Sequence, residues 1–116
     1  MFPEVSLGSM KITDLTAAEK LKLDRRRRGE SQEKAAKHWG VSFYKYREAE
    51  DGKRNLRGVR PALGKLRPYE ICFIRRIRSD ISVKKMAKKL KRHPWWISQM
   101  ERGKQPADEL VEHWAA

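Results

Sequence analysis

At 116 residues the chain has room for one small domain or two very small ones. Charged residues make up 37% of it, and 28 Lys and Arg against 15 Asp and Glu leave a formal net charge of +13. A cationic excess of that size points to a polyanionic partner such as DNA, RNA or an anionic membrane surface. No run approaches the ~20 apolar residues of a membrane span, and the opening MFPEVSLGSMKITDL lacks the basic and apolar regions of a signal peptide. The single cysteine, Cys72, excludes an internal disulfide and fits a cytoplasmic setting. One thiol and three scattered histidines, His38, His93 and His113, make no metal-ligand set, so neither metal nor cofactor is expected.

Residues 1–14 have no regular apolar pattern and read as a flexible N-terminal segment. From residue 15 onward the chain repeats itself. Sliding it by 51 positions aligns residues 15–54 with residues 66–105 without a gap. Leu15/Leu66, Glu19/Glu70, Arg25/Arg76, Arg27/Arg78, Ser31/Ser82, Ala36/Ala87, Lys37/Lys88, Glu50/Glu101, Gly52/Gly103 and Lys53/Lys104 are identical pairs. Some Lys and Arg matches follow from composition alone. The gapless register and the matched Ser, Ala, Glu and Gly carry the weight.

In chain order, Thr16-Ala17-Ala18-Glu19 is a capping box that starts a helix running to about Arg28. Ser31 is a good N-cap for a second helix, Gln32-Glu33-Lys34-Ala35-Ala36-Lys37-His38. A turn at Trp39-Gly40-Val41 follows. A third helix starts at Ser42 and stops at Gly52, a natural left-handed residue after a helix. Residues 55–65 read as a connector. The second copy starts its first helix at Arg67-Pro68-Tyr69-Glu70, with Pro in the first turn. Tyr69, Phe73, Ile74 and Ile77 then recur at helical spacing. Its second helix follows Ser82, its turn is Leu90-Lys91-Arg92, and its third helix starts at His93 and stops at Gly103. The tail from Pro106 to Trp114 reads as a fourth helix, with Leu110, Val111 and Trp114 as an apolar patch. Two short helices joined by a turn of three or four residues form a helix-turn-helix. The expected fold is therefore all-α: tandem helix-turn-helix units of about four short helices each, over residues 15–65 and 66–116.

The stretch Gly29-Glu30-Ser31-Gln32-Glu33 through Trp39-Gly40-Val41-Ser42, closed by Glu50-Asp51-Gly52-Lys53, resembles the phage-repressor/Cro (XRE) class of helix-turn-helix domains. Ile97-Ser98-Gln99-Met100-Glu101-Arg102-Gly103-Lys104 resembles the same class. The second copy departs from the family pattern where Lys91-Arg92 replace Gly-Val and Val83 replaces Gln. The resemblance implies a λ-repressor-like fold and a scaffold role for two ion pairs, Arg25 with Glu50 and Arg76 with Glu101. It also implies that the third helix enters the major groove, with its first turn reading bases. In the first copy that face is Ser42, Phe43, Tyr44, Lys45, Arg47 and Glu48. Arg can hold a guanine edge through two bonds, Glu can accept from cytosine, and Phe can touch a thymine methyl. Gln32, Lys53 and Arg54 are candidates for phosphate. Trp39, Val41, Tyr46, Ala49, Met86, Leu90, Ile97 and Met100 are expected to face the core.

In the second copy His93, Trp95, Trp96, Ser98, Gln99 and Lys104 take the corresponding places, and Lys84 is a phosphate candidate. Three readings of Trp95 and Trp96 stand open: contact with duplex DNA, burial in a protein interface, and stacking on unpaired bases. Residues 15–54 carry 12 basic and 7 acidic side chains, net +5, while residues 66–105 carry 12 and 3, net +9. The lysines of the second copy also admit a plain reading as a solvated helix face. Nothing in the chain has the form of a catalytic motif, so no enzyme and no small-molecule substrate are expected. The expectation is a DNA-binding regulator of transcription, a repressor from a phage or other mobile element, acting on double-stranded DNA, with a homodimer as a candidate assembly. An RNA-binding regulator and an antitoxin-like interaction module are the alternatives.

Overall fold

Thr16 starts the first helix by exchanging two hydrogen bonds with Glu19. Its hydroxyl accepts from the Glu19 amide at 3.1 Å, and the Glu19 carboxylate accepts from the Thr16 amide at 2.9 Å. Such a cap contributes about 1 kcal/mol. The computed structural model describes residues 10–115, and every regular element among them is helical. The expectation of a flexible segment over residues 1–14 falls mostly outside the described residues. Inside them, Ile12–Asp14 form one 3-10 turn, held by the Asp14 carboxylate on the Lys11 amide at 2.8 Å. That turn delivers Leu15, buried, to the start of the helix.

The described chain divides into two compact units, Lys11–Lys65 and a second that begins at Leu66. In the first, α1 (Ala17–Arg28), α2 (Gln32–Trp39) and α3 (Phe43–Glu50) surround a core of Leu21, Ala35, Ala36, Tyr46 and Ala49. Ser31 and Ser42 cap α2 and α3 through their hydroxyls. The small side chains Ala35 and Ala36 leave room for α3 to lie close to α2. Trp39 and Val41 are half-buried at the edge of this core rather than inside it. The Arg28 guanidinium lies 5.6 Å over the Trp39 ring, a cation–π contact.

The second unit contains α4 (Pro68–Arg78), α5 (Val83–Leu90), α6 (Pro94–Glu101) and α7 (Asp108–Ala115). Ile71, Cys72, Phe73 and Ile74 are all buried, so α4 is apolar over more than one stripe, the mark of a central helix. It packs against both α6 and α7, and Leu110 of α7 is fully buried. Leu90, expected to face the core, is only half-buried at the C-terminal end of α5.

The backbones of the two copies repeat at their helix ends. Val41 donates to the Ala36 carbonyl at 3.0 Å and Arg92 to the Ala87 carbonyl at 2.9 Å. Where the first copy uses left-handed Gly29 and Gly40, the second has Asp80 and Lys91, each with φ 54°. The Lys91-Arg92 departure therefore leaves the turn's geometry unchanged and places its cost in a strained lysine.

The copies part after α3. By the 51-residue offset, α7 corresponds to residues 57–64, Arg-Gly-Val-Arg-Pro-Ala-Leu-Gly. Two glycines and a proline there oppose a helix, and the first unit has three α-helices and a 3-10 turn in place of four helices. The segment still covers the core as irregular chain: Leu56 and Val59 pack on it and Leu63 is buried. Arg27 of α1 ties this segment down by donating to the Leu63 and Lys65 carbonyls.

Candidate nucleic-acid interface

One carboxylate sets how α3 presents itself. Glu50 is 1% exposed and holds Arg25 through two bonds, at 2.7 and 3.1 Å. Arg25 also donates to the Glu30 carbonyl, so α1, the approach to α2 and the end of α3 share one guanidinium. Gln32 adds a bond from its Nε2 at 3.1 Å. Burial works against the Glu50 charge, but the donors Arg25, Tyr46 and Gln32 outweigh it and hold the carboxyl below its ordinary value. Burial likewise opposes the Arg25 charge, and Glu50 overrides it, raising the arginine further. The second copy repeats the fork: Arg76 reaches Glu101 at 2.7 and 2.9 Å and the Ile81 carbonyl at 2.8 Å. At the positions of Tyr46 and Gln32 it has Ile97 and Val83.

With Tyr46, Ala49 and Glu50 turned inward, the rest of α3 faces out. Phe43 is 43% exposed and Tyr44 75%. Ser42, Lys45 and Arg47 are exposed beside them, and Glu48 is half-buried. The structure thus gathers six of the sequence-selected residues on one surface: a cap hydroxyl, two rings, two cations and a carboxylate. A guanidinium so placed can grip a guanine edge, and the rings can meet a thymine methyl. Two of the candidates have other obligations. Glu48 accepts from Arg54 at 2.9 Å, so each partly neutralises the other. Gln32 spends one N–H on Glu50 and has a single N–H left for a phosphate. Lys53 is exposed just past the helix.

In the second unit the exposed face of α6 is aromatic. Trp95 is 49% exposed and Trp96 37%, with their rings edge to face at 5.0 Å. His93 caps the helix, its Nδ1 accepting from the Trp95 amide at 3.1 Å. Ser98 and Gln99 are half-buried and Lys104 is exposed. Lys84 lies in a shallow notch with Ser82, Lys85 and Lys88.

Sequence reasoning missed Arg92 as part of this surface. It stands 5.8 Å over the Trp96 ring and pairs with Glu109 of α7. The i, i+4 spacing of Arg92 and Trp96 was the available signal, although Arg92 precedes the helix. It also missed a groove of about 480 Å³ in the first unit, flanked by Lys20, Arg54, Arg57 and Arg60 above Leu21 and Leu56. No helix among the described residues is long and apolar enough to cross a membrane, and no cluster of potential metal ligands occurs among them. Comparison with family models, with curated proteins and with solved structures returns no match.

Proposed function

We propose that this chain is a sequence-specific double-stranded DNA-binding regulator of transcription that represses by occupying an operator and blocking polymerase. It acts without a cofactor and without catalysis, in the cytoplasm. The observation that carries the reading is the outward face of α3. Ser42, Phe43, Tyr44, Lys45 and Arg47 stand exposed on a helix locked from behind by Tyr46, Ala49 and the Arg25–Glu50 fork. The net charge of +13 and the resemblance to the phage-repressor class support it. Rigid placement matters because base readout requires a forked donor held in register with the groove.

Selection of bound duplexes from a random pool tests this reading. An enriched motif is the expected result, and a pool that stays random sinks it. Arg47→Ala then tests the reading residue by residue. The variant should lose preference at one base position, by ~1–3 kcal/mol, and keep its preference elsewhere. Uniform weakening on all sequences would remove Arg47 from the base readers.

A further inference from the structure

The two third helices occupy the same place in the repeat and carry opposite chemistry. At the 51-residue offset, Lys45 becomes Trp96, Arg47 becomes Ser98 and Glu48 becomes Gln99, while Tyr44 becomes Trp95. Each ionic group of the α3 surface is replaced by a neutral one, and the forked guanidinium that reads a guanine edge is gone. On the helix before it, cations accumulate. Glu33 and His38 of α2 correspond to Lys84 and Lys89 of α5, which also carries Lys85 and Lys88, all four exposed. The second unit therefore presents two half-exposed indoles on α6, with Arg92 over the less exposed Trp96 ring, and four exposed lysines on α5, which packs against α6.

We infer that this surface is a stacking platform for the unpaired bases of a single-stranded nucleic acid, a site separate from the duplex-reading face of α3. An indole offers a base a flat apolar partner whatever the base's identity, and flanking lysines hold the phosphates between bases. A duplex hides its base faces in the stack and offers such rings only base edges and thymine methyls. A second copy docked through this unit would bring together two segments of net +9, a like-charge cost that disfavours a homodimer there. The inference does not depend on operator reading by α3. Loss of duplex selectivity in Arg47→Ala leaves it intact.

The test uses the full chain and three probes of about 15 nucleotides: oligothymidine, oligouridine, and a deoxyribose-phosphate chain of the same length without bases. The base-free chain keeps every phosphate and removes every stacking partner. Oligothymidine should bind roughly five- to a hundredfold tighter than the base-free chain, and it should quench tryptophan emission where the base-free chain does not. Trp95→Ala should collapse that ratio toward one with the salt slope unchanged, and Trp95→Phe should restore part of it. The oligouridine arm distinguishes RNA from DNA as the strand: tighter binding than oligothymidine assigns RNA, and the reverse assigns DNA. Equal binding of base-bearing and base-free chains, or absence of quenching, overturns the inference; both measurements are made on the unaltered protein and survive a Trp95→Ala chain that fails to fold. Two further outcomes also overturn it. In one, a duplex shows the same dependence on Trp95, and the indole is a duplex contact. In the other, Trp95→Ala turns a dimer into monomers without moving the ratio, and the surface is a protein interface.

Discussion

Single residues in the two copies answer the same backbone demand with different chemistry, and their costs differ in a measurable way. Gly52 and Gly103 both take φ near +75°, at 78° and 75°. A Cβ at Gly52 meets nothing within 4 Å, whereas one at Gly103 lies 2.6 Å from the Tyr69 ring of α4. Gly52→Ala should therefore cost only the left-handed strain, ~1–2 kcal/mol. Gly103→Ala must also displace Tyr69 and should cost about 1 kcal/mol more. Urea denaturation of the two variants measures the difference, and equal losses would mean that Tyr69 swings aside freely. Lys91 is the reverse case, since it holds φ 54° where the first copy has Gly40. Lys91→Gly should stabilise the chain by about 1 kcal/mol, seen as a higher melting temperature. Cys72 is buried in α4. Burial pushes its thiol up to about 12, with Glu101 adding to the rise, which marks it as a core group and not a reactive one.

Among elements, helix starts were the most legible part of the sequence. Thr16, Ser31, Ser42, Ser82 and His93 each cap through a side-chain acceptor, and capping is local chemistry that a sequence displays. Helix ends were legible where glycine stood and less so at Asp80 and Lys91, where tertiary context imposes the left-handed turn. The outward face of α3 was legible through the family resemblance, which assigns Glu50 to an ion pair and Tyr46 and Ala49 to the core, and all three are buried. The bonds Gln32–Glu50 and Arg54–Glu48 and the contact of Arg92 with Trp96 and Glu109 were not, since each joins side chains whose meeting depends on how separate segments fold together. The Arg25–Glu50 fork makes stability depend on pH. Glu50 titrates below its ordinary carboxyl value in the folded chain. Its contribution is thus complete above the unfolded value, near 4.5, and is lost as pH falls through the lower folded value. Glu50→Gln should cost about 3 kcal/mol at neutral pH, because Arg25 keeps its charge without its partner. It should also flatten the acid limb of stability against pH. Urea midpoints taken from about pH 7 to about pH 3 check both effects, and an acid limb as steep as that of the parent chain would place the titrating group elsewhere.

For the whole molecule the governing quantity is where its charge sits. Both copies hold 12 cations over their matched forty positions, and they differ because the first sets 7 acids against them and the second only 3. In the first copy, acids engage some of the cations: Glu48 pairs with Arg54, and Glu30 with Arg28. In the second, Lys84, Lys85, Lys88 and Lys89 are exposed on α5, where their charge is available to a phosphate chain. Under the proposed function, base preference and bulk affinity should then separate by copy. Arg47→Ala acts on the first. Lys84→Ala should weaken binding on every sequence alike and lower the slope of log affinity against log salt by about one unit, because one fewer phosphate is neutralised and one fewer counterion is released. The measurement is a salt titration of parent and variant on a selected duplex and on a scrambled one. A slope that stays the same on both removes Lys84 from the footprint. A slope that falls on the selected duplex alone would instead make the lysine part of specific recognition, and the division of labour between the copies would have to be drawn differently.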